Sequence, residues 1–197
     1  MPRPKSTTRQ SMLESALAHF WFNGYSKSSM DDLVSATGSN RHTIYTEFGS
    51  KVGLFGAVLG LYVDTIVTPA FAQVEAPGAG LQEIADYWEF QIKRGEVAGL
   101  PGPGCLLANT MTERAPHAPD VEKVVTAHNE RLRAGFRNAL RGQGIAARHR
   151  SSKQAIDGMA TVLATFSNGL WSYSRVTPDA RSLRLATKTM ITNLAQE

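Results

Sequence analysis

Residues 29–51 of the chain read SMDDLVSATGSNRHTIYTEFGSK, and local signals in this stretch decide the fold. Ser29 followed by two aspartates forms a capping-box pattern, which predicts a short helix ending at Gly38. Asn40 is placed to cap a second short helix that begins at Arg41, and a Gly-Ser pair ends that helix. Two short helices joined by a tight turn that contains glycine predict a helix-turn-helix unit.

A longer helix flanks this unit on each side. Leu13, Leu17 and Phe20 recur at helical spacing before it, and Leu54 and Val58 do so after it. The rest of the chain predicts further helices, over about 81–98, 105–114, 120–140, 152–176 and from 178 nearly to the C-terminus. We therefore expect an all-α fold of about nine helices: a three-helix helix-turn-helix domain over residues 1–50 and a larger helical domain over 51–197.

The composition indicates a globular protein that lies outside membranes. The 197 residues are 42% hydrophobic and 19% charged, which is enough apolar sequence for a large core. The longest apolar stretch, residues 52–63, contains three glycines and is expected to be too short to span a bilayer. The first ten residues have no apolar run typical of a signal peptide, and a single cysteine excludes an intramolecular disulfide. We expect a cytoplasmic location.

Charge is distributed unevenly around a net value of +4. Residues 1–63 carry a balance of +2, residues 64–130 one of −6 and residues 131–197 one of +8. The basic side chains of Arg3, Lys5 and Arg9 would suit a phosphate backbone, although a lone basic arm is more often a solvated tail. The basic residues Arg131, Arg133, Arg137, Arg141, Arg148 and Arg150 are expected on the wet face and end of a long helix, and are only a minor candidate for nucleic-acid contact.

The motifs of common enzyme classes are absent from the sequence. It contains no Gly-x-Ser-x-Gly elbow, no P-loop, no Gly-x-Gly-x-x-Gly after a strand and no His-Glu-x-x-His. The five histidines have no metal-ligand spacing. Asp31 and Asp32 are adjacent, but helix capping already explains them. We therefore expect a protein that is not an enzyme, with no catalytic residues, cofactor or metal.

The segment from Gly24 to Lys51 resembles the DNA-binding region of the TetR family of bacterial transcriptional repressors. The run Ile-Tyr-x-x-Phe-x-Ser-Lys, residues 44–51, carries the most specific part of the resemblance. The close similarity covers roughly residues 10–60, and the rest agrees with the family in length and helix count. Ser39, Glu47 and Val52 depart from the residues common in the family at those positions.

This resemblance implies that the helix beginning at Arg41 reads DNA in the major groove. The candidate DNA-binding residues are Arg41, His42, Thr43, Tyr45, Thr46 and Lys51, with Ser28 and Ser29 at another helix start as phosphate donors. Arg41 can offer a bidentate fork to guanine, and Lys51 adds a positive charge at a helix N-terminus. The alternatives are that Arg41 and His42 are merely exposed polar residues, that Tyr45 belongs to the core and that Thr43 only starts the helix.

Family membership would also imply a small-molecule effector and a two-fold homodimer formed through the last two helices. Residues 152–176 are apolar on all sides, which suits such a seam or an intrachain core. The candidate pocket residues are Tyr87, Trp88, Gln91, Cys105, Met111, His128, Met159, Phe166 and Trp171, although residues of these types are more often part of a core. Cys105 begins a helix, which could lower its thiol pKa and make it reactive, or it could be buried and inert.

The leading hypothesis is a homodimeric, ligand-responsive DNA-binding regulator that a small molecule releases from a palindromic double-stranded operator. Its two half-sites would lie about 34–36 Å apart, one helical turn of DNA. Repression is expected, although activation would differ only in where the operator lies. The alternative is an all-α small-molecule-binding or enzymatic protein whose helix-turn-helix makes only protein contacts.

Overall fold

The computed structural model describes residues 8–114, 118–142 and 152–196, and within these ranges the regular structure is helical with no strand. The helices are α1 (Arg9–Asn23), α2 (Met30–Thr37), α3 (Arg41–Phe48), α4 (Lys51–Tyr62), α5 (Thr68–Glu75), α6 (Leu81–Ala98), α7 (Leu106–Glu113), α8 (Pro119–Gly142), α9 (Lys153–Tyr173) and α10 (Arg181–Gln196). A π-helical turn, Val63–Val67, joins α4 to α5 without a break. Counting that joined pair as one, the described ranges hold nine helices, so the predicted all-α fold is confirmed.

Local hydrogen bonds set the boundaries of the helix-turn-helix. The Ser29 hydroxyl accepts from the backbone N–H of Asp32 at 3.1 Å, and the Asp32 carboxylate accepts from the Ser29 N–H at 2.8 Å. The Asn40 side chain accepts from the Thr43 N–H at 2.8 Å. Between the two helices Gly38 adopts a left-handed conformation with φ of 64°, which side chains disfavour. These are the caps and the turn that the sequence predicts.

A small aromatic core fixes α3 relative to α1, α2 and the start of α4, and we call these four segments the head. Leu33 and Ile44, from the inner faces of α2 and α3, are fully buried. Phe20 of α1 contacts Phe55 of α4 edge to face, with ring centroids 5.0 Å apart. Because α1 packs on both α2 and α4 while α3 packs on α4, the head includes the start of α4.

The continuous helix from Lys51 to Glu75 is longer than the apolar stretch expected from sequence. At 25 residues it is long and apolar enough to cross a membrane by length and composition alone, so the expectation that this region is too short was wrong. The helix continues past Pro69 because the wide π turn comes just before this residue, which has no N–H to donate. Its α4 half packs on α1 and its α5 half on α6 and α8, as expected for the core helix of a folded domain.

The larger domain is built around α8, which packs against α5, α6, α7 and α9, while α10 packs on α6. Ion pairs link several of these helices. Arg131 pairs with Glu75 at 2.7 Å, Arg137 pairs with Asp157 at 2.5 Å, and Arg184 bridges two glutamates of α6. The sequence predicted that Arg131 and Arg137 lie on a solvent-exposed face of the helix. Instead, their ion pairs connect α8 to α5 and to α9. Arg148 and Arg150 lie outside the described residues.

The close approach of α8 to α5 gives a stability prediction at Gly135. A Cβ at this position would lie 2.4 Å from the Phe71 ring, which is fully buried against Tyr87 and Phe136. Gly135→Ala should therefore destabilise the fold by about 1–3 kcal/mol, although alanine is the better helix former. Gly60→Ala in α4 is the matched control, because nothing lies within 4 Å of its Cβ position. Urea unfolding should rank the two variants; equal stabilities would contradict the packing.

Candidate functional site

The outer side of α3 presents a polar face to solvent. Arg41, His42, Tyr45 and Thr46 are exposed, and we refer to these four residues as the α3 face. Thr43 is half-buried beside the Asn40 cap and Ile44 is fully buried. Tyr45 is 41% exposed, which rules out the alternative that it is wholly a core residue. The eight-residue helix α3 thus packs on the core through the face that carries Ile44 and exposes the opposite face to solvent.

The Arg41 guanidinium already has a partner in the free protein. It donates to the Asp31 carboxylate of α2 at 2.7 Å, and both side chains are largely exposed. An exposed pair of this kind contributes only about 0–1 kcal/mol, so releasing it for another acceptor costs little. The contact holds the guanidinium at the front of the helix-turn-helix.

The structure corrects one of the two predicted serine donors. Ser28 is 1% exposed and its hydroxyl donates to the Gly24 carbonyl at 2.6 Å, so the prediction that it donates to a phosphate was wrong. The sequence pattern alone could not show which of the two adjacent serines is buried and which is exposed. Ser29 is exposed, and its hydroxyl donates to Asp32 at 2.7 Å as part of the cap.

Lys51 and the end of α7 meet at the ring of Tyr25. The Lys51 ammonium lies 4.1 Å from the ring centroid and the Arg114 guanidinium 4.9 Å from it. Partial burial lowers the pKa of Lys51, against the opposing effect of the nearby Glu113 carboxylate. Glu113 also accepts hydrogen bonds from the N–H groups of Tyr25 and Ser26, at 3.1 and 2.6 Å. The C-terminal end of α7 is therefore attached to the loop that precedes α2.

Arg9 is the first residue of α1, and it is occupied by contacts with α3. Its guanidinium lies 3.8 Å from the Glu47 carboxylate and 5.0 Å from the centroid of the Phe48 ring. Glu47, which departs from the family pattern, thus has a basic partner. Arg3 and Lys5 lie outside the described residues.

A cavity of about 610 Å³ opens between the helix-turn-helix head and the larger domain. Its walls come from α1, α4, the second half of α6, the loop 99–105 and the end of α9, and include Trp21, Tyr62, Phe90, Arg94, Cys105 and Trp171. Three predicted ligand residues, Gln91, Cys105 and Trp171, are in this wall. The sequence analysis missed Trp21, Phe90 and Arg94. For Trp21 a signal was available, the adjacent aromatic residues Trp21-Phe22 at the end of an amphipathic helix.

The other six predicted ligand residues do not line this cavity, and their part in ligand binding stays a prediction; they are Tyr87, Trp88, Met111, His128, Met159 and Phe166. They pack among the helices of the larger domain. Trp88 is fully buried and donates to the Ser167 hydroxyl at 2.9 Å, and its ring meets Phe166 edge to face. The Met111 sulfur accepts from Asn129. Aromatic and methionine side chains fill cores and pockets alike, so residue type alone could not distinguish them.

Cys105 lies at the N-cap of α7 and is only 8% exposed. Burial raises its thiol pKa, although the backbone N–H groups of Leu107 and Ala108 and the Tyr62 hydroxyl act in the opposite direction. The helix N-terminus does act to lower this pKa, but desolvation is the larger effect. The structure therefore favours the buried, unreactive alternative.

The loop 99–105 is fastened to three helices around the cavity. The Trp21 indole N–H donates to the Gly104 carbonyl at 2.8 Å, the Asn109 side chain donates to the Pro103 carbonyl at 2.8 Å, and the Gly102 N–H donates to the Ser174 carbonyl at 3.2 Å. A Cβ on Gly104 would lie 2.8 Å from the Trp171 carbonyl, so this close approach requires glycine. One wall of the cavity is thereby hydrogen-bonded directly to α1.

Comparisons with known proteins agree with this architecture. The family model for bacterial regulatory proteins of the tetR family matches residues 12–58, the segment that carries α1, α2, α3 and the start of α4. The chain is 33% identical over 128 residues to the HTH-type transcriptional repressor ComR of Escherichia coli (strain K12), across 64% of this chain and 60% of ComR. It is 26% identical over 144 residues to the uncharacterized HTH-type transcriptional regulator YezE of Bacillus subtilis (strain 168), across 71% of this chain and 72% of YezE.

Residues 12–58 therefore form a TetR-type DNA-binding region by their match to the family model. Solved TetR-family structures share its fold. The regulator CifR, as a cysteine mutant in complex with 26-bp operator DNA, superposes with a TM-score of 0.79 at 22% identity, covering 96% of this chain and 98% of CifR. Regulatory protein TetR from Rhodobacter sphaeroides gives a TM-score of 0.78 at 18% identity, covering 95% and 98% of the two chains. In the part of the chain that the structure describes, no group of three or more His, Cys, Asp or Glu side chains could hold a metal ion.

Proposed function

We propose that this chain is a homodimeric DNA-binding transcriptional regulator, a repressor that a small molecule releases from a palindromic operator. The observation that carries the proposal is the α3 face, where Arg41, His42, Tyr45 and Thr46 are exposed on a short capped helix with a buried rear side. This is the geometry of a recognition helix that enters the major groove. The protein acts in the cytoplasm and has no catalytic role, in keeping with relatives named as transcriptional regulators.

Within this proposal, residues of the head divide into base readers and phosphate contacts. Arg41 reads a guanine edge, with His42, Thr43 and Thr46 beside it in the groove. Tyr45 and Lys51 contact phosphates, and Ser29 lies at the adjacent start of α2. Residues 1–50 form the DNA-binding domain and residues 51–197 the effector and dimer domain, with α4 packed on both.

Two hydrogen-bonded links support coupling between the effector domain and the head. The Trp21 indole reaches the Gly104 carbonyl ahead of α7, and the Glu113 carboxylate at the other end of α7 holds the Tyr25 and Ser26 N–H groups. A ligand that shifts the loop 99–105 or α7 therefore moves the C-terminal end of α1 and the loop that precedes α2. Effector and operator then favour different conformations, so the binding of each weakens the binding of the other.

The outer surface of α9 and α10 supports a homodimer seam. Val162 and Leu185 are 47% and 65% exposed, and Tyr173 is 50% exposed at the end of α9. Met159 and Phe166 are only half-buried on the same helix. Apolar side chains left open on the last two helices of the described chain suit an interface with a second copy.

Val162→Glu combined with Leu185→Glu should convert the dimer into a monomer, because two carboxylates in each copy would be buried against apolar surface. Analytical ultracentrifugation measures the mass, and circular dichroism checks that the helices remain. Ala18→Glu, at an exposed position of α1, is a control that should leave the mass unchanged. A doubly substituted protein that remains dimeric would place the seam elsewhere.

The test of the whole proposal is selection of a preferred duplex from random DNA, followed by measurement of its affinity over a range of salt. A palindromic site bound by two chains, with affinity that falls steeply as salt rises, is expected. Binding that does not depend on salt or sequence would refute the proposed function.

A further inference from the structure

We propose that the cavity between the head and the larger domain binds a small amphipathic carboxylate, an apolar chain or ring system that carries one carboxylate group. The inference rests on the proposed ligand response and specifies its chemistry. About 610 Å³ lies within the range of sites for drug-sized molecules. The occupant is defined by the apolar surface of the cavity and by the charge of its wall.

The wall is apolar over most of its surface and remains so at the opening. Trp21, Tyr62 and Trp171 line it, and Tyr62 and Trp171 are almost fully buried. At the rim, Phe22, Phe90 and Val97 are 67%, 51% and 91% exposed. An apolar rim that leads into an apolar interior favours a ligand with an apolar body of comparable length.

The charged groups of the wall are both cations. Lys93 and Arg94 line the cavity, and no aspartate or glutamate does so among the described residues. Lys93 is already paired, since its ammonium lies 3.9 Å from the Glu89 carboxylate. Arg94 instead donates to the neutral Gln91 side chain at 3.0 Å, and its guanidinium lies 6.0 Å from the Phe90 ring centroid.

Arg94 is therefore the group that selects an anion. Within the described ranges it has no carboxylate within 4.0 Å, unlike Arg41, Arg131, Arg137 and Arg184, which all have one. Its guanidinium can offer two parallel N–H donors to a ligand carboxylate, which gives geometric selectivity over a neutral alcohol. The apolar body then extends towards Tyr62 and Cys105 in the buried part of the wall.

Occupancy of this cavity reaches the head through Trp21. The indole is part of the wall, it donates to Gly104 across the cavity edge, and it meets Tyr62 edge to face at 5.1 Å. A ligand body placed against Tyr62 competes for the space of this ring. The end of α1 therefore responds to the ligand directly, in addition to the link at Glu113.

The experiment uses three probes of equal chain length and different charge: decanoate, 1-decanol and decyltrimethylammonium, below their micelle concentrations. Calorimetric titration of the full chain should give a decanoate Kd at least about tenfold lower than those of the other two. Arg94→Gln should raise the decanoate Kd by about tenfold and leave decanol unchanged, whereas Lys93→Gln should change it by less than about threefold. Phe90→Glu, at the exposed rim, should weaken the binding of decanoate but not the binding of decyltrimethylammonium.

Equal binding of the three probes, or decanoate binding that Arg94→Gln does not alter, would overturn the assignment. So would a failure of decanoate to bind at all. The selected duplex is measured separately: loss of DNA binding by the unliganded chain refutes the proposed function, whereas intact DNA binding without decanoate binding refutes only this inference. The supporting result is that decanoate, at concentrations near its Kd, releases the duplex from wild type but not from Arg94→Gln.

Discussion

Replacing Arg41 with alanine is expected to weaken binding to the preferred duplex by about 1–3 kcal/mol at each half-site and to remove the preference at one base pair. The loss is this large because Arg41 sits at the first turn of α3, where a side chain can reach a guanine edge with two hydrogen bonds. The ion pair with Asp31 in the free protein does not offset the binding free energy that Arg41 contributes, because both side chains are exposed and the pair is weak.

Fluorescence anisotropy with the selected duplex and its single-base variants measures this effect. Lys51→Ala provides the contrast: it should weaken all sequences alike and reduce the salt dependence, as expected for a phosphate contact. Lys123→Ala on α8 controls for the loss of one positive charge, because this side chain is exposed and paired with Asp120. If wild type and Arg41→Ala bind the selected duplex equally, Arg41 does not read a base.

The second large effect is a loss of stability in mild acid caused by His128. This side chain is 7% exposed, its Nδ1 has no hydrogen-bond partner, and burial lowers its pKa to about 4, helped by the charge of Arg131. In the unfolded chain the same imidazole takes up a proton near its ordinary pKa of about 6.5. Stability due to neutral His128 is therefore complete above pH 6.5 and falls as the pH drops towards 4, by up to about 3 kcal/mol.

Urea unfolding of wild type and His128→Gln at pH 7.5, 6.0 and 5.0 separates this contribution from others. As the pH falls, the free energy of unfolding of wild type should decrease more than that of His128→Gln. Asp32 and Glu96, whose carboxyl pKa values are lowered by hydrogen bonds from Ser29 and Arg184, lose stability in acid in both proteins and cancel in the comparison. If the free energy of unfolding depends on pH in the same way in both proteins, His128 takes up its proton in the folded state as readily as in the unfolded chain.

The two candidate sites differ in how far sequence could predict them. The α3 face depends on residues 38–50, whose caps and turns act over three or four positions, so the spacing of Asn40, Arg41 and Ile44 already places Arg41 outside and Ile44 inside. The cavity joins residues that are far apart in sequence, such as Trp21 and Gly104, which hydrogen-bond across 83 positions. No local pattern marks such a meeting, and six of the nine predicted ligand residues lie elsewhere, among the helices of the larger domain.

Adjacent residues of one type show the same limit at a smaller scale. Ser28 and Ser29 are equally plausible as phosphate donors in the sequence, yet one is buried under the Gly24 carbonyl and the other caps α2. The α4–α5 helix is a further case, because it continues through Pro69 beyond the apolar stretch 52–63, with the π turn just before that residue.

Sequence by itself determined most of the helices, their caps and the helix-turn-helix that matches the TetR-family model, because each depends on hydrogen bonds and apolar spacing within a few residues. Only the tertiary structure decided where the cavity lies, that Arg94 faces it with no acidic partner among the described residues, and that Arg131 and Arg137 hold helices together. These outcomes depend on which helices pack side by side, and therefore on long-range burial and pairing of charge that no short stretch of sequence contains.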